Sequence, residues 1–214
     1  MLSEGRSGEV RTVSGTLKEL RLGPYGEGVV NDVGLGRYFE ATRQGRMFAL
    51  SAIGFTVGAA SFTPLAATTT PIVGIVNVSG SGKAAAIQRV TSQTRSGTPG
   101  GPFYLVASLT SGGITTGAAG TIVNTAFGTG VGVMKAYNNV ALTGYVAQGN
   151  TLQVAVGGPA AIAAGAGAYQ SDVELAGSIV IPPGSVCAII GSAAGTNHIV
   201  DVSIYWTEVD WPLA

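Results

Sequence analysis

Charged residues are scarce in this chain: they make up 10% of its 214 residues, against roughly 25% in a typical soluble domain. The scarcity is most marked in the middle of the chain, because no acidic residue stands between Glu40 and Asp172. The segment 136–171 carries no formal charge at all. A monomer with so few charges should be poorly soluble, so we expect much of the surface to pack against copies of the chain or against a partner.

Cysteine and histidine each occur once, which excludes several kinds of site. Cys187 lies in an apolar run, so we expect a buried, inert thiol, and a single cysteine cannot form an intrachain disulfide. One histidine and one cysteine cannot supply a typical zinc site. We therefore predict no metal-ligating residues and no cofactor.

Catalytic residues are equally hard to find. His198 and Asp201 could belong to a Ser-His-Asp triad. The available serines, Ser185 and Ser192, stand in no Gly-x-Ser-x-Gly sequence. We therefore predict a hydrogen-bonding histidine at the end of a loop, no catalytic residues and no enzymatic activity.

Long apolar runs are missing as well. No window reaches about 18 uninterrupted apolar residues, the length that a membrane-spanning helix requires, so we expect no membrane partner. The first residues, MLSEGRSGEV, lack the basic and then apolar pattern of a secretory signal. At 214 residues the chain is still long enough to bury a core without disulfides or metals.

One short sequence has features of a nucleotide-binding loop, namely residues 80–83 (GSGK). A phosphate-cradling loop requires Gly-x4-Gly-Lys-Ser/Thr, because backbone amides wrap the phosphates and the hydroxyl binds the metal ion. The first glycine of that motif would stand at Asn77, and the residue after the lysine is Ala84. Two required positions therefore fail, and we predict a tight turn between two strands.

The apolar residues recur mainly with a period of two, which is typical of half-buried strands. In residues 199–207, apolar side chains at the even positions up to Trp206 form one face, opposite Asp201 and Ser203. Many short strands with glycine-bearing breaks between them predict an all-β fold, a sandwich or a barrel. The predicted strands are Glu9–Val13, Tyr38–Thr42, Met47–Ile53, Ile72–Asn77, Ala84–Thr91, Phe103–Ser108, Thr121–Asn124, Val140–Ala147, Thr151–Val156, Gly177–Ile181, Val186–Ile190 and 199–207.

Four connecting or ambiguous segments carry further expectations. Arg43–Arg46 is expected to be a hairpin turn, and residues 182–184 (PPG) to join strands of an antiparallel meander. Residues 83–89 (KAAAIQR) contain good helix formers, but Val90 and a threonine follow, so we predict a strand. Leu17–Leu22 could form a single helical turn.

The first part of the chain differs from the rest. Residues 1–36 contain eight glycines, interspersed charges and few large apolar side chains. We therefore predict two parts: an extended N-terminal arm over residues 1–35 and a β-sandwich domain over residues 36–214. The arm would wrap around a neighbouring subunit, or would be disordered if no neighbour is present.

The charges are unevenly distributed along the chain. Residues 41–171 hold six basic residues and no acid, and residues 172–214 hold five acids and no base. Opposite signs at separated positions favour docking between subunits, although the same groups could also meet within one folded chain. A few arginines among aromatic residues are too few for tight binding to nucleic acid. The predicted interface residues are Arg37, Arg43, Arg46, Glu208, Asp210 and Trp211.

Three stretches of the chain resemble a known class of proteins. They are residues 36–48 (GRYFEATRQGRMF), residues 71–83 (PIVGIVNVSGSGK), and residues 179–187 (IVIPPGSVC) with the ending VSIYWTEV. Their order is similar to that of Gly/Ala-rich virion proteins of tailed bacteriophages, the head-decoration or capsid-associated proteins. The resemblance implies a jelly-roll-like antiparallel β-sandwich that assembles on a capsid or tail, often as trimers.

Composition and resemblance together predict a structural subunit of a virus particle, either capsid-decorating or capsid-forming. The expected location is the virion, and the expected partners are copies of the chain and other virion proteins such as a major capsid protein. Two alternatives stay open. One is a phage receptor-binding or adhesin-type module that recognises surface glycans, and the other is an extracellular filament subunit.

Overall fold

Twelve β-strands and one short helix make up the part of the chain that the computed structural model describes. That part comprises residues 9–11, 17–19, 38–57, 71–97, 103–109, 120–126, 132–138, 152–157, 170–191 and 198–211. The chain divides into two compact units, Met1–Phe39 and Glu40–Ala214. The all-β prediction is confirmed.

In the first unit, β1 (Glu9–Arg11) pairs antiparallel with β2 (Leu17–Glu19). The strand expected at Glu9–Val13 is confirmed over Glu9–Arg11. The helical turn that Leu17–Leu22 could form is wrong for Leu17–Glu19, because these residues form a strand. A lone helical turn must order several residues for one hydrogen bond, so a short segment gains more by pairing with a strand. An arm over residues 1–35 that reaches a neighbour stays a prediction.

A short helix, α1 (Phe39–Arg43), replaces the strand expected at Tyr38–Thr42. Its C-terminus is closed by backbone hydrogen bonds from Gly45 N–H to the Thr42 carbonyl (2.8 Å) and from Arg46 N–H to Ala41 (2.9 Å). Gly45 has a φ of +67°, the left-handed conformation that commonly ends helices. The expected hairpin turn is therefore wrong: the same glycine caps a helix and leads into the next strand.

Ten strands of the second unit form two five-stranded antiparallel sheets that face each other as a β-sandwich, which confirms the sandwich prediction. The strands are β3 (Met47–Val57), β4 (Val73–Asn77), β5 (Lys83–Ser96), β6 (Phe103–Leu109), β7 (Ile122–Asn124), β8 (Lys135–Asn138), β9 (Leu152–Gly157), β10 (Gln170–Ile181), β11 (Ser185–Ile190) and β12 (His198–Asp210). Sheet 1 has the order β10-β5-β12-β3-β7, and sheet 2 has the order β8-β4-β11-β6-β9.

The main apolar core lies between the two sheets. Trp206 of β12 is fully buried and stacks on Phe48 of β3, with ring centroids 6.0 Å apart. Ile75 and Ile189 belong to the same buried cluster and come from sheet 2. The alternation predicted for β12 is confirmed, because the even positions from 200 to 206 are buried and the odd positions from 199 to 205 are half-buried.

Sheet 2 is buried on its other face too. All six residues of β11 are buried. Alternate residues of β11 face the main core, while Val186 and Ala188 form a separate apolar cluster with Val76 and Tyr137. Burial raises the pKa of the Tyr137 hydroxyl. This burial on both faces explains why the sequence of β11 is a continuous apolar run and not an alternating one.

The last three strands do not form the predicted meander. β10 lies in sheet 1 and β11 in sheet 2, so residues 182–184 cross from one sheet to the other. Gly184 has a φ of +78°, and its N–H donates to the Asn77 carbonyl at 2.8 Å. Turn residues specify that the chain reverses. The sheet that the next strand joins is decided by where its apolar faces can be buried.

Most other strand predictions are confirmed, and several strands are longer than expected. β5 covers Lys83–Ser96, so the helical alternative for its first residues is wrong. β10 begins at Gln170, well before the expected start at Gly177, since its charged residues masked the strand signal. The strand Lys135–Asn138 was not predicted. The strand expected at Val140–Ala147 lies outside the described residues.

Candidate functional site

The predicted interface residues lie in different environments. Arg37 lies outside the described residues, whereas Arg43 and Arg46 are exposed where α1 leads into β3. The Arg46 carbonyl accepts a hydrogen bond from the Glu208 N–H (2.9 Å), so the start of β3 lies beside the end of β12. The structure therefore brings Arg46 close to the C-terminal acidic residues, as an interface formed by both would require.

Glu208 is buried, with 6% of its surface exposed. Its two carboxylate oxygens accept hydrogen bonds from the Val133 N–H at 3.0 Å each, and Oε1 also accepts one from the Met134 N–H at 3.3 Å. A Cβ on Gly132 would lie 2.8 Å from Oε1, so glycine allows the loop to approach. The sequence suggested a solvated or intersubunit acid. The structure instead gives Glu208 an internal role, in which it fixes residues 132–134 to β12.

Asp210 and Trp211 do lie at the surface. Lys83 Nζ donates a hydrogen bond to the Asp210 carboxylate, and this bond, with the charges of Lys83 and Arg46, holds the pKa of Asp210 below its ordinary value. The backbone N–H of Trp211 donates to the Gly82 carbonyl at 3.0 Å, and 39% of the residue is exposed. We call the group Arg46, Lys83, Asp210 and Trp211 the end patch.

Ion pairs cross the neighbouring strands of sheet 1. Arg89 of β5 donates to Asp172 of β10, which raises the pKa of the guanidinium and lowers that of the carboxyl. Arg95 of β5 pairs with Asp201 of β12, with 2.6 Å between Nε and Oδ2. Together with the pair of Lys83 and Asp210, these ion pairs show that the basic and acidic parts of the sequence meet within one chain. This is one of the two possibilities that the sequence left open, the other being docking between subunits.

The turn at residues 78–82 is organised by Asn77, whose side chain is fully buried. Its Nδ2 donates to the carbonyls of Lys83 (2.7 Å) and Ile181 (2.9 Å), and its Oδ1 accepts from Ser81 Oγ (2.6 Å). Asn77 thus joins two of the crossings between the sheets, the turn at 78–82 and the turn at 182–184. The predicted tight turn is confirmed, and it connects strands of different sheets.

His198 takes part in packing. It is fully buried, its Nε2 lies 3.2 Å from Thr94 Oγ1, and its ring stacks on Phe103 with centroids 5.8 Å apart. Asp201 lies on the half-buried side of β12, where it accepts a hydrogen bond from the Gly54 N–H at 2.7 Å. The expected hydrogen-bonding histidine is confirmed, and the geometry does not assemble a triad.

Neither Ser185 nor Cys187 is placed as a catalytic group in the described part of the chain. Ser185 begins β11, whereas His198 follows the far end of that strand. Ser192 lies outside the described residues. Cys187 is fully buried, as predicted, and burial raises the pKa of its thiol, which keeps it protonated.

A metal-binding cluster and a membrane-spanning helix are absent from the described part of the chain. There, no three His, Cys, Asp or Glu side chains stand together as a metal site would require. No helix in these ranges has the length and apolar character needed to cross a membrane. The chain matches no protein-family model, no curated protein and no solved structure.

Two surface depressions were not foreseen from the sequence. The first, of about 440 Å³, is called the tyrosine depression; it is lined by Tyr205 with Ala49, Ser51, Thr121, Val123 and Thr125. The second, of about 340 Å³, is called the edge groove; residues 178–182 line one wall, and Ala107, Ser108, Leu152 and Ser185 line the other. Both depend on strands that come together from distant parts of the chain, so no local pattern reveals them.

Proposed function

We propose that the sandwich is a jelly roll and that the protein is a structural subunit of a virus particle. A jelly roll has eight strands in two sheets. The order β10-β5-β12-β3 in sheet 1 and the order β4-β11-β6-β9 in sheet 2 fit that arrangement, with β7 and β8 as additional edge strands. This strand order is the observation that carries the proposal, and jelly rolls are common in capsid proteins.

Self-assembly is the proposed mode of action. Three ion pairs within the chain neutralise six charged groups of an already charge-poor sequence. Large apolar side chains are exposed at separate places, among them Ile53 (72%) and Leu152 (49%). Removing about 1,000 Å² of apolar area from water contributes on the order of 25 kcal/mol before the costs of association are subtracted. Contacts that are modest in one copy are multiplied by symmetry.

The proposed partners are copies of the chain, as a trimer or a larger assembly in the virion, and other virion proteins such as a major capsid protein. The end patch and the neighbouring Arg43 are the proposed contacts, because they combine an exposed tryptophan with an exposed guanidinium, and such residues are favoured at interfaces. The arm over residues 1–35 and Arg37 belong to the same proposal.

The test is the solution mass by light scattering, with negative-stain images of the same sample. We expect a trimer or a closed particle, and a double variant of the end patch, Arg46→Glu with Trp211→Ala, should shift the mass towards the monomer. The control is Lys135→Glu, a charge reversal at an exposed residue of β8, which should leave the mass unchanged. A wild-type protein that stays monomeric at all concentrations would contradict the proposal.

A second candidate function is glycan binding by an adhesin-type module, and the tyrosine depression favours it. An aromatic ring beside several hydroxyl groups offers both an apolar face and hydrogen bonds to a sugar. Tyr205 supplies the ring, while Thr121 and Thr125 supply hydroxyls. A glycan array with the wild type, Tyr205→Ala and the control Trp211→Ala tests it: binding that only Tyr205→Ala removes would support the module.

A further inference from the structure

The edge groove exposes the backbone of a strand as well as its side chains. One wall consists of the consecutive residues 178–182. Successive side chains of a strand point to opposite faces, so a groove that touched a single face would be lined by every second residue. The wall therefore includes the outer backbone edge of β10, with which no described strand pairs.

The opposite wall carries a buried hydroxyl group without a partner. Ser185 is 3% exposed, and its Oγ makes no hydrogen bond to any of the described residues. Buried polar side chains are normally paired, which makes this hydroxyl an available donor or acceptor for an incoming group. The remaining lining is uncharged and mostly apolar, with Ala107, Leu152 and Ile181 among its residues.

The two halves of the β10 edge differ in their capacity to pair. The first half carries Asp172 and Glu174, and charges on an edge strand oppose pairing with another strand. An irregularity follows, because Glu174 pairs with Arg89 and Ile179 with Ile87, which leaves four residues of β10 opposite one residue of β5. The second half, which borders the groove, has neither a charge nor a bulge.

We propose that the edge groove receives an extended, uncharged segment from a second copy of this chain, which adds a strand to β10 at residues 179–181. Strand addition obtains affinity from main-chain hydrogen bonds and specificity from pockets for alternate side chains. The chain itself contains uncharged sequence of the required kind, since residues 139–151 and 158–169, which belong to none of the described strands, carry no charge. This inference rests on the proposed self-assembly and adds the edge groove to the end patch as a contact surface.

The test compares two lysine substitutions on opposite edges of sheet 1. Val180 in β10 and Val123 in β7 are exposed to similar extents, 38% and 43%. Lysine on an edge strand opposes pairing, so Val180→Lys should raise the concentration for half-assembly about tenfold or more, while Val123→Lys should change it by about twofold or less. The readout is light scattering over a dilution series, with thermal unfolding to verify that both variants fold.

The outcomes separate this inference from the proposed function. If the wild type assembles and Val180→Lys assembles equally well, or if both lysines have equal effects, the edge groove is not the interface although the protein self-assembles. If the wild type is monomeric, both proposals fail. A second measurement needs no variant: the backbone amides within residues 179–181 that point away from β5 should exchange hydrogen at least about tenfold more slowly in the assembly than after dilution. Equal exchange would overturn the inference.

Discussion

At the scale of single residues, Asn77 does more for the fold than its place in the sequence suggests. Its buried amide joins the carbonyl of Lys83, at the start of β5, to that of Ile181, at the end of β10. Its backbone carbonyl also accepts the N–H of Gly184. The side chain and the backbone carbonyl of Asn77 therefore hold two of the crossings between the sheets in place.

We expect Asn77→Ala to lower the free energy of unfolding by about 2–4 kcal/mol, because one buried and one partly buried carbonyl lose their donor. Ser79 lies exposed in the same turn, so Ser79→Ala should change stability by about 0.5 kcal/mol or less. Urea denaturation of both variants provides the measurement. Equal effects would show that the turn tolerates loss of the Asn77 amide.

At the scale of elements, β10 combines a long edge with a break in its middle. The irregular segment Leu175–Ser178 lies between two regularly paired stretches. Ala176 has a φ of +57° and Gly177 a φ of +77°. The left-handed conformation costs a non-glycine residue about 1–2 kcal/mol, so β10 holds a strained alanine at an exposed position.

Replacing Ala176 with glycine should relieve this strain. The gain is partly offset by the greater entropy that glycine loses on folding, so we expect a net stabilisation of about 0.5–1 kcal/mol. Ala155→Gly in β9 serves as the control, since Ala155 is exposed in a strand without a positive φ, and that substitution should be destabilising. The melting temperatures of the two variants decide: a destabilised Ala176→Gly would refute the strain argument.

At the scale of the whole molecule, the charges that look segregated along the sequence are paired across sheet 1. Arg89 and Asp172 lie on neighbouring strands but belong to the basic and the acidic part of the sequence. Surface pairs of this kind contribute about 0–1 kcal/mol each. These ion pairs favour the observed order of neighbouring strands over other orders, because strands paired in a wrong order would place like charges together.

The pH dependence of stability should report this pairing. The pKa of Asp172 is lower in the folded than in the unfolded chain, so its contribution is present above the unfolded value of about 3.9 and is lost as the pH falls through the lower folded value. We expect the wild type to exceed Asp172→Asn in stability by about 1 kcal/mol or less at pH 7. The difference should shrink towards zero below about pH 3. Urea denaturation at both pH values measures it, and a difference that grows in acid would contradict the assignment.

The sequence predicted the strands better than their assembly. Strict alternation identified β12 around Trp206, and a proline-rich turn identified the end of β10, because both signals are local. The position of Glu208 could not be read in the same way: burial of a carboxylate depends on backbone amides 75 residues away. The prediction for His198 was correct, because a histidine that only packs and forms a hydrogen bond requires no second residue at a recognisable spacing in the sequence. The two depressions arise from strand order, which turn chemistry does not specify.

The place of β12 also has a consequence for synthesis. It is the last of the described strands in chain order, yet it lies in the middle of sheet 1, between β5 and β3. Ser203 of β12 contacts Ser51 of β3 across a separation of 152 positions. While the ribosome is still translating, β3 and β5 have no common neighbour, and sheet 1 is split into two parts with open edges. A nascent chain that stalls before residue 198 would expose those edges to other nascent chains. Completion of β12 is therefore the step that protects the protein from misassembly.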